Sequence, residues 1–133
     1  MSEHPKTRDI RLNRMSPFTE ALGLELVNLD REGCSMRLEI GPQHFNAGGR
    51  VHGGVTFSML DSAMGAAVYA HLAPDEMTAT IECKVNYTLA ITGGVLACRA
   101  RVVHVGTKTM VVDAEVHQDG VLAAKALGTF ARI

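Results

Sequence analysis

The sequence predicts an α+β fold, a curved antiparallel sheet wrapped around one long central helix. Two observations carry this. The apolar stretch Val55–Leu72 is too long for an ordinary strand and is rich in Ala, Met and Leu, which favour helix. Two strand-like segments precede it and four follow, several with residues alternating apolar and polar. Such strands, joined by hairpins, make a sheet with one apolar face, and Val55–Leu72 is the element able to cover it.

The elements follow in order. The 133 residues read as one domain spanning 1–133, in which 1–8 form a loose polar arm. From Asp9 to Leu22, apolar residues at Ile10, Leu12, Met15, Phe18 and Leu22 recur at helical spacing, and one short helix is expected to end near Gly23. Leu24–Asp30 and Cys34–Ile40 read as paired strands joined at Arg31-Glu32-Gly33, and Gly41-Pro42 ends the second. The long helix closes at Ala73-Pro74-Asp75, because proline cannot continue it. Thr78–Leu89 is expected to set Ala79, Ile81, Cys83, Val85 and Tyr87 against Thr80, Glu82, Lys84 and Asn86. Gly93-Gly94 leads into Val95–Val105, Gly106-Thr107-Lys108 into Met110–His117, and the Asp119-Gly120 hairpin signal into Val121–Ile133.

Composition excludes several functions. A formal net charge of −1 argues against a nucleic-acid partner, which favours a basic excess. Val55–Leu72 approaches the roughly 20 residues of a membrane span, but Asp61, Ser58, Ser62 and Gly65 interrupt it, so no membrane association is expected. The N-terminus has no signal-peptide pattern, and Cys34, Cys83 and Cys98 are odd in number and lack CxxC spacing, which suits reduced cysteines in the cytoplasm. The histidines show no metal-ligand spacing, so no metal is expected, and no Gly-x-Ser-x-Gly elbow is present.

The chemistry points to residues 46–61. Glycine-rich Asn46-Ala47-Gly48-Gly49-Arg50-Val51-His52-Gly53-Gly54 leads directly into the helix, whose entry leaves backbone N–H groups unpaired at the positive end of its dipole. Gly53 and Gly54 let a ligand approach that backbone. Asp61 is the lone acid within the apolar run, where an ionised carboxylate needs an explanation. An amide that polarises a carbonyl and an acid that activates water would form a reaction centre. The bland readings are a helix-entry turn and a buried structural acid.

If both groups act on one substrate, geometry demands two chains. Eight helical residues separate Gly53 from Asp61 by about 12 Å, while each must come within roughly 3 Å of its target. Two antiparallel helices related by a two-fold axis would place Gly53 of one subunit against Asp61 of the other, giving two equivalent sites across a homodimer.

The pattern Asn46-x5-His52-Gly53-Gly54-x6-Asp61, set before four strands, resembles the hotdog-fold acyl-CoA thioesterases, most closely the phenylacetic-acid-degradation type. The resemblance covers nearly the whole chain. It implies an enzyme hydrolysing an acyl- or aryl-CoA thioester to the free acid and coenzyme A, with the Gly53 amide holding the carbonyl oxygen. Asp61 would be general base or nucleophile, Asn46 would hold thioester or water, His52 would shape the loop, and Thr80 would position water. Gly54 and Val51 would line the substrate, and Lys108 would meet the coenzyme A phosphates. Read on their own, Asn46 is equally a turn residue and Thr80 a sheet residue. The resemblance further implies a dimer of dimers and no cofactor, coenzyme A being part of the substrate. The rival functions are a non-catalytic acyl-CoA-binding hotdog protein and a hotdog hydratase or dehydratase.

Overall fold

A computed structural model describes residues 3–133, leaving Met1 and Ser2 outside. The N-terminal region departs from expectation. Pro5–Arg11 (α1) is helical where a loose arm was expected, and a second helix, Pro17–Leu22 (α2), replaces the far half of the single one. A helix as short as α1 does not stand alone in water and needs anchoring. His4 supplies it. The His4 Nδ1 accepts from the Lys6 N–H at 2.9 Å, and Nε2 lies 2.6 Å from the Glu76 carbonyl oxygen. Its ring sits 4.8 Å from that of Tyr69, and Ile10 is buried below. The chain breaks at Asn13, which takes a left-handed φ of 56°, and restarts where Ser16 and Thr19 form a capping box. Gly23, at φ 88°, ends α2 as the sequence suggests.

The strands are Glu25–Asp30 (β1), Gly33–Glu39 (β2), Thr78–Tyr87 (β3), Val95–Val105 (β4), Thr109–Gln118 (β5) and Val121–Arg132 (β6). All pairings are antiparallel, in the order β1-β2-β4-β5-β6-β3. The expected hairpins form between β1 and β2 and from β4 to β6, whereas the one expected between β3 and β4 does not. β3 crosses over to pair with β6, and β2 takes the place beside β4. Thr88–Gly94 is long enough to carry this crossover, and on the way Ile91 accepts the Val51 N–H at 2.8 Å. The crossing ties β3 to the loop that precedes the central helix.

That helix, Gly53–Tyr69 (α3), fills the concave side of the sheet. Met59, Leu60, Ala63, Met64, Ala67 and Val68 are buried on it, against Met36, Leu38, Leu96, Met110, Val112 and Phe130 of the strands. Each such large side chain withdrawn from water contributes roughly 1.5–3 kcal/mol. Gly65 admits Phe130, whose ring would stand 3.7 Å from a Cβ there. The helix stops at Tyr69, short of the expected Leu72, and a turn follows in which Glu76 Oε1 accepts the Ala73 N–H at 2.8 Å. Arg132 clamps the Glu76 carboxylate with two nitrogens, at 3.0 and 2.8 Å. No helix among the described residues is long and apolar enough to cross a membrane.

The simple alternation expected of β3 fails at one point. A bulge between Thr80 and Glu82 inserts Ile81 as an extra residue, which shifts the phase. Ile81 is left 56% exposed, whereas Thr80 joins Cys83, Val85 and Tyr87 on the side facing α3. The cysteines are free thiols, Cys34 and Cys98 buried and Cys83 half-buried.

His71, past the end of α3, lies 3.0 Å from the Arg31 carbonyl oxygen. Burial, joined by the Arg31 charge, holds its pKa below the ordinary 6.5 despite that contact. The unfolded chain then binds a proton that the folded chain resists. Stability from this group is complete above about pH 6.5 and lost as the pH falls below it. The urea midpoint is expected to drop between about pH 7 and about pH 5, and His71→Gln to shrink that drop.

Candidate active site

The site begins with a loop that closes on itself. The Asn46 Oδ1 accepts the N–H groups of Gly48 at 2.9 Å and Arg50 at 3.1 Å, and the Asn46 N–H donates to the Arg50 carbonyl at 2.7 Å. Phe45 and Val51 form an antiparallel bridge, and the His52 N–H donates to the His44 carbonyl at 2.8 Å. The carbonyl end of the Asn46 side chain thus builds the loop. Its amide nitrogen has no hydrogen-bond partner among the described residues.

Helix entry then sorts the first amides of α3. His52 is the N-cap, and its Nδ1 accepts the Gly54 N–H at 2.8 Å. The Val55 N–H donates to the His52 carbonyl at 2.9 Å. Among the described residues the Gly53 N–H has no partner, so one donor stands free at the positive helix end. Gly54 must stay small, because a Cβ there would lie 2.9 Å from the His52 Nδ1. The structure thus gives His52 a capping role and Gly54 a packing one.

Sequence reasoning missed Tyr87 as a site residue. Its hydroxyl donates to the Gly53 carbonyl at 2.8 Å, and its ring atoms come within 3.4 Å of where a Gly53 Cβ would sit. Burial, with Cys83 nearby, raises the pKa of this phenol above the usual 10 and keeps it a donor. Its signal was a hydroxyl in need of a partner at the far end of a strand. Gly53, Asn46, Val51, Arg50 and Tyr87 line a cavity of about 380 Å³.

Asp61 lies about two turns further along α3, some 12 Å from Gly53 by the helical rise. It is half-buried, and its Oδ1 accepts the Thr80 hydroxyl at 2.8 Å. That contact exists because the β3 bulge turns Thr80 towards the helix. Nearby Cys83 is pushed up to about 11, first by burial and then by the charges of Asp61 and Glu82, and so stays a thiol. Asp61 and Thr80 open into a second cavity of about 430 Å³, which Tyr69, Met77 and Phe130 also line.

The expected residues thus fall into two groups in one chain. Asn46, Val51 and Gly53 share one cavity, with His52 and Gly54 at its helix mouth, and Asp61 and Thr80 share the other. Lys108 lines neither; it sits on the β4–β5 turn, where its carbonyl accepts the Arg132 N–H at 2.9 Å. Among the described residues no cluster of three His, Cys, Asp or Glu side chains could hold a metal ion. The arrangement offers a free amide and a hydroxyl-oriented carboxylate, with Ser16 and Ser62 also lining the Asp61 cavity.

Comparison with known proteins shows the family. Residues 48–124 match the family model described as the thioesterase superfamily. A 1,4-dihydroxy-2-naphthoyl-CoA hydrolase of Listeria monocytogenes is 24% identical over 97 residues, which cover 73% of this chain and 79% of that protein. A conserved protein of Pseudomonas aeruginosa superposes with a TM-score of 0.86 at 40% identity, covering 92% of this chain and 98% of that one. A phenylacetic acid degradation-related protein of Ralstonia eutropha gives 0.86 at 25% identity, covering 95% and 98%. The match to the family model takes in the loop from Gly48 onward, all of α3, β3 to β5 and the start of β6, and the chain belongs to the thioesterase superfamily, with its hotdog fold.

Proposed function

We propose that the protein hydrolyses an acyl- or aryl-CoA thioester at sites shared between two copies of the chain. The observation that carries this is the division just described: a free Gly53 amide and a Thr80-bound Asp61 on one helix, opening into separate cavities. Neither half is a reaction centre by itself.

The sheet edge indicates how the halves meet. β3 is the last strand of the sheet, and one side of its backbone is unpaired. Its Thr80 end borders the Asp61 cavity, and its Tyr87 end borders the Gly53 cavity. A second copy paired antiparallel along this edge, about a two-fold axis, lays the Tyr87 end of one β3 beside the Thr80 end of the other. Each Gly53 cavity then adjoins the Asp61 cavity of the opposite copy. Two such dimers joined again would give a tetramer.

In this arrangement the thioester carbonyl oxygen accepts the Gly53 N–H of one copy, and the Asn46 amide group stands ready to hold the thioester beside it. A water molecule sits against the free Asp61 Oδ2 of the other, whose Oδ1 holds the Thr80 hydroxyl. Asp61 takes its proton through Oδ2 while Oδ1 stays with the Thr80 hydroxyl, and the water oxygen attacks the carbonyl carbon. The helix terminus stabilises the resulting oxyanion. Its collapse breaks the C–S bond, expelling coenzyme A as a thiolate that recovers the proton. The protein works in the cytoplasm, where its thiols remain reduced.

A panel of acyl- and aryl-CoA esters followed by free-thiol detection, with light scattering for subunit number, tests the proposal. Thiol release from at least one ester by a dimeric or tetrameric protein is expected. Binding without thiol release would show a carrier in place of an enzyme, and hydration of an enoyl ester would show a hydratase. Thr80→Val, which removes the donor on Asp61 and keeps the shape, is expected to lower kcat about 10- to 150-fold, since a hydrogen bond to a charged group contributes roughly 1.5–3 kcal/mol.

A further inference from the structure

The cavity beside Asp61 has an unexpected wall. Lys6 of α1 and Arg14, between α1 and α2, both line it, together with Ile10 and Met15. They are not carried on a free arm. His4 ties the start of α1 to the Glu76 carbonyl, and buried Ile10 and Thr19 fix the segment on either side of Arg14. Among the described residues neither cation has a carboxylate partner, although Arg11, Arg37, Lys125 and Arg132 all do. The one acid in the cavity is Asp61, and neither cation pairs with it.

We infer that Lys6 and Arg14 anchor an anionic group of the substrate across the cavity from Asp61, and so make the N-terminal segment a specificity element. This rests on the hydrolase reading above. A cavity that holds a carboxylate repels a second anion, and two unpaired cations on an anchored segment of the same lining offset that field. The anionic group is either a carboxylate at the far end of the acyl chain or a phosphate of coenzyme A. Either would take a bidentate contact from Arg14 and a point contact from Lys6.

The test compares hexanoyl-CoA, its ω-carboxy counterpart adipoyl-CoA, and hexanoyl-pantetheine, which lacks the phosphates. Dissociation constants are measured by calorimetry on Asp61→Asn protein, with and without Lys6→Gln and Arg14→Gln. If the anchor takes an acyl carboxylate, the double substitution weakens adipoyl-CoA about tenfold or more and leaves hexanoyl-CoA alone. If it takes phosphate, both CoA esters weaken equally and hexanoyl-pantetheine does not. Lys6→Arg with Arg14→Lys is expected to restore much of the loss. Unchanged affinity for all three ligands, or equal weakening of all three, overturns the inference, as does failure of all three to bind. Turnover by the protein with Asp61 intact is read separately. Thiol release without any effect of the cations sinks this inference alone, and ligand-specific weakening without thiol release sinks the hydrolase reading alone.

Discussion

Asp61→Asn is expected to lower kcat by about 10²- to 10⁴-fold, the usual loss when a positioned base is removed. The substitution is close to isosteric. An Asn amide oxygen still accepts the Thr80 hydroxyl that now donates to Oδ1 at 2.8 Å. Packing on the half-buried face of α3 is kept, so subunit number and thermal midpoint are expected to stay near those of the unmodified protein. KM is expected to change little, because the interaction lost is made in the transition state, not the ground state. Steady-state thiol release, light scattering and a thermal melt together measure all of this. Near-normal kcat in the folded variant would remove Asp61 from the mechanism.

Gly53→Pro is expected to lower kcat by about 10²- to 10³-fold, the range for loss of one oxyanion donor. A backbone amide cannot be deleted by side-chain substitution, but proline has no N–H. The position tolerates it. Gly53 is the first residue of α3, where proline is favoured, and His52 before it is already extended at φ −60°, ψ 133°. The ring would press on Tyr87, since even a Cβ comes within 3.4 Å of it. Gly53→Ala is the control, because it brings the same Cβ and keeps the donor. A large loss in the proline variant with a small one in the alanine variant isolates the N–H, whereas equal losses would assign the effect to crowding of Tyr87.

Much of this was readable in the chain, for identifiable reasons. α3 announces itself because it is apolar nearly all round, as a helix enclosed by a sheet must be. Asp61 and the glycine turn stand out because each is costly in such a segment without a purpose. Strands β4 to β6 follow from local turn chemistry. The rest depends on partners remote in sequence. Nothing near β3 says that it will cross to β6, and the Ile81 bulge is invisible to an alternation argument that assumes a strict period of two. That one insertion decides whether Thr80 meets Asp61. α1 escaped because its polar residues form a helix only once His4 reaches Glu76, a contact 72 positions away. Lys6 and Arg14 could not be placed on the Asp61 cavity without it.

The central claim is that the Gly53 amide and the Asp61 carboxylate of each site belong to different copies of the chain. Co-expression of Asp61→Asn with Gly53→Pro tests it most directly, since each variant alone is nearly inactive. A mixed dimer has one site with both defects and one with both groups intact. Random pairing makes half the dimers mixed, so the co-expressed protein is expected to recover about a quarter of full activity. Activity that stays at the level of the separate variants would contradict the shared site.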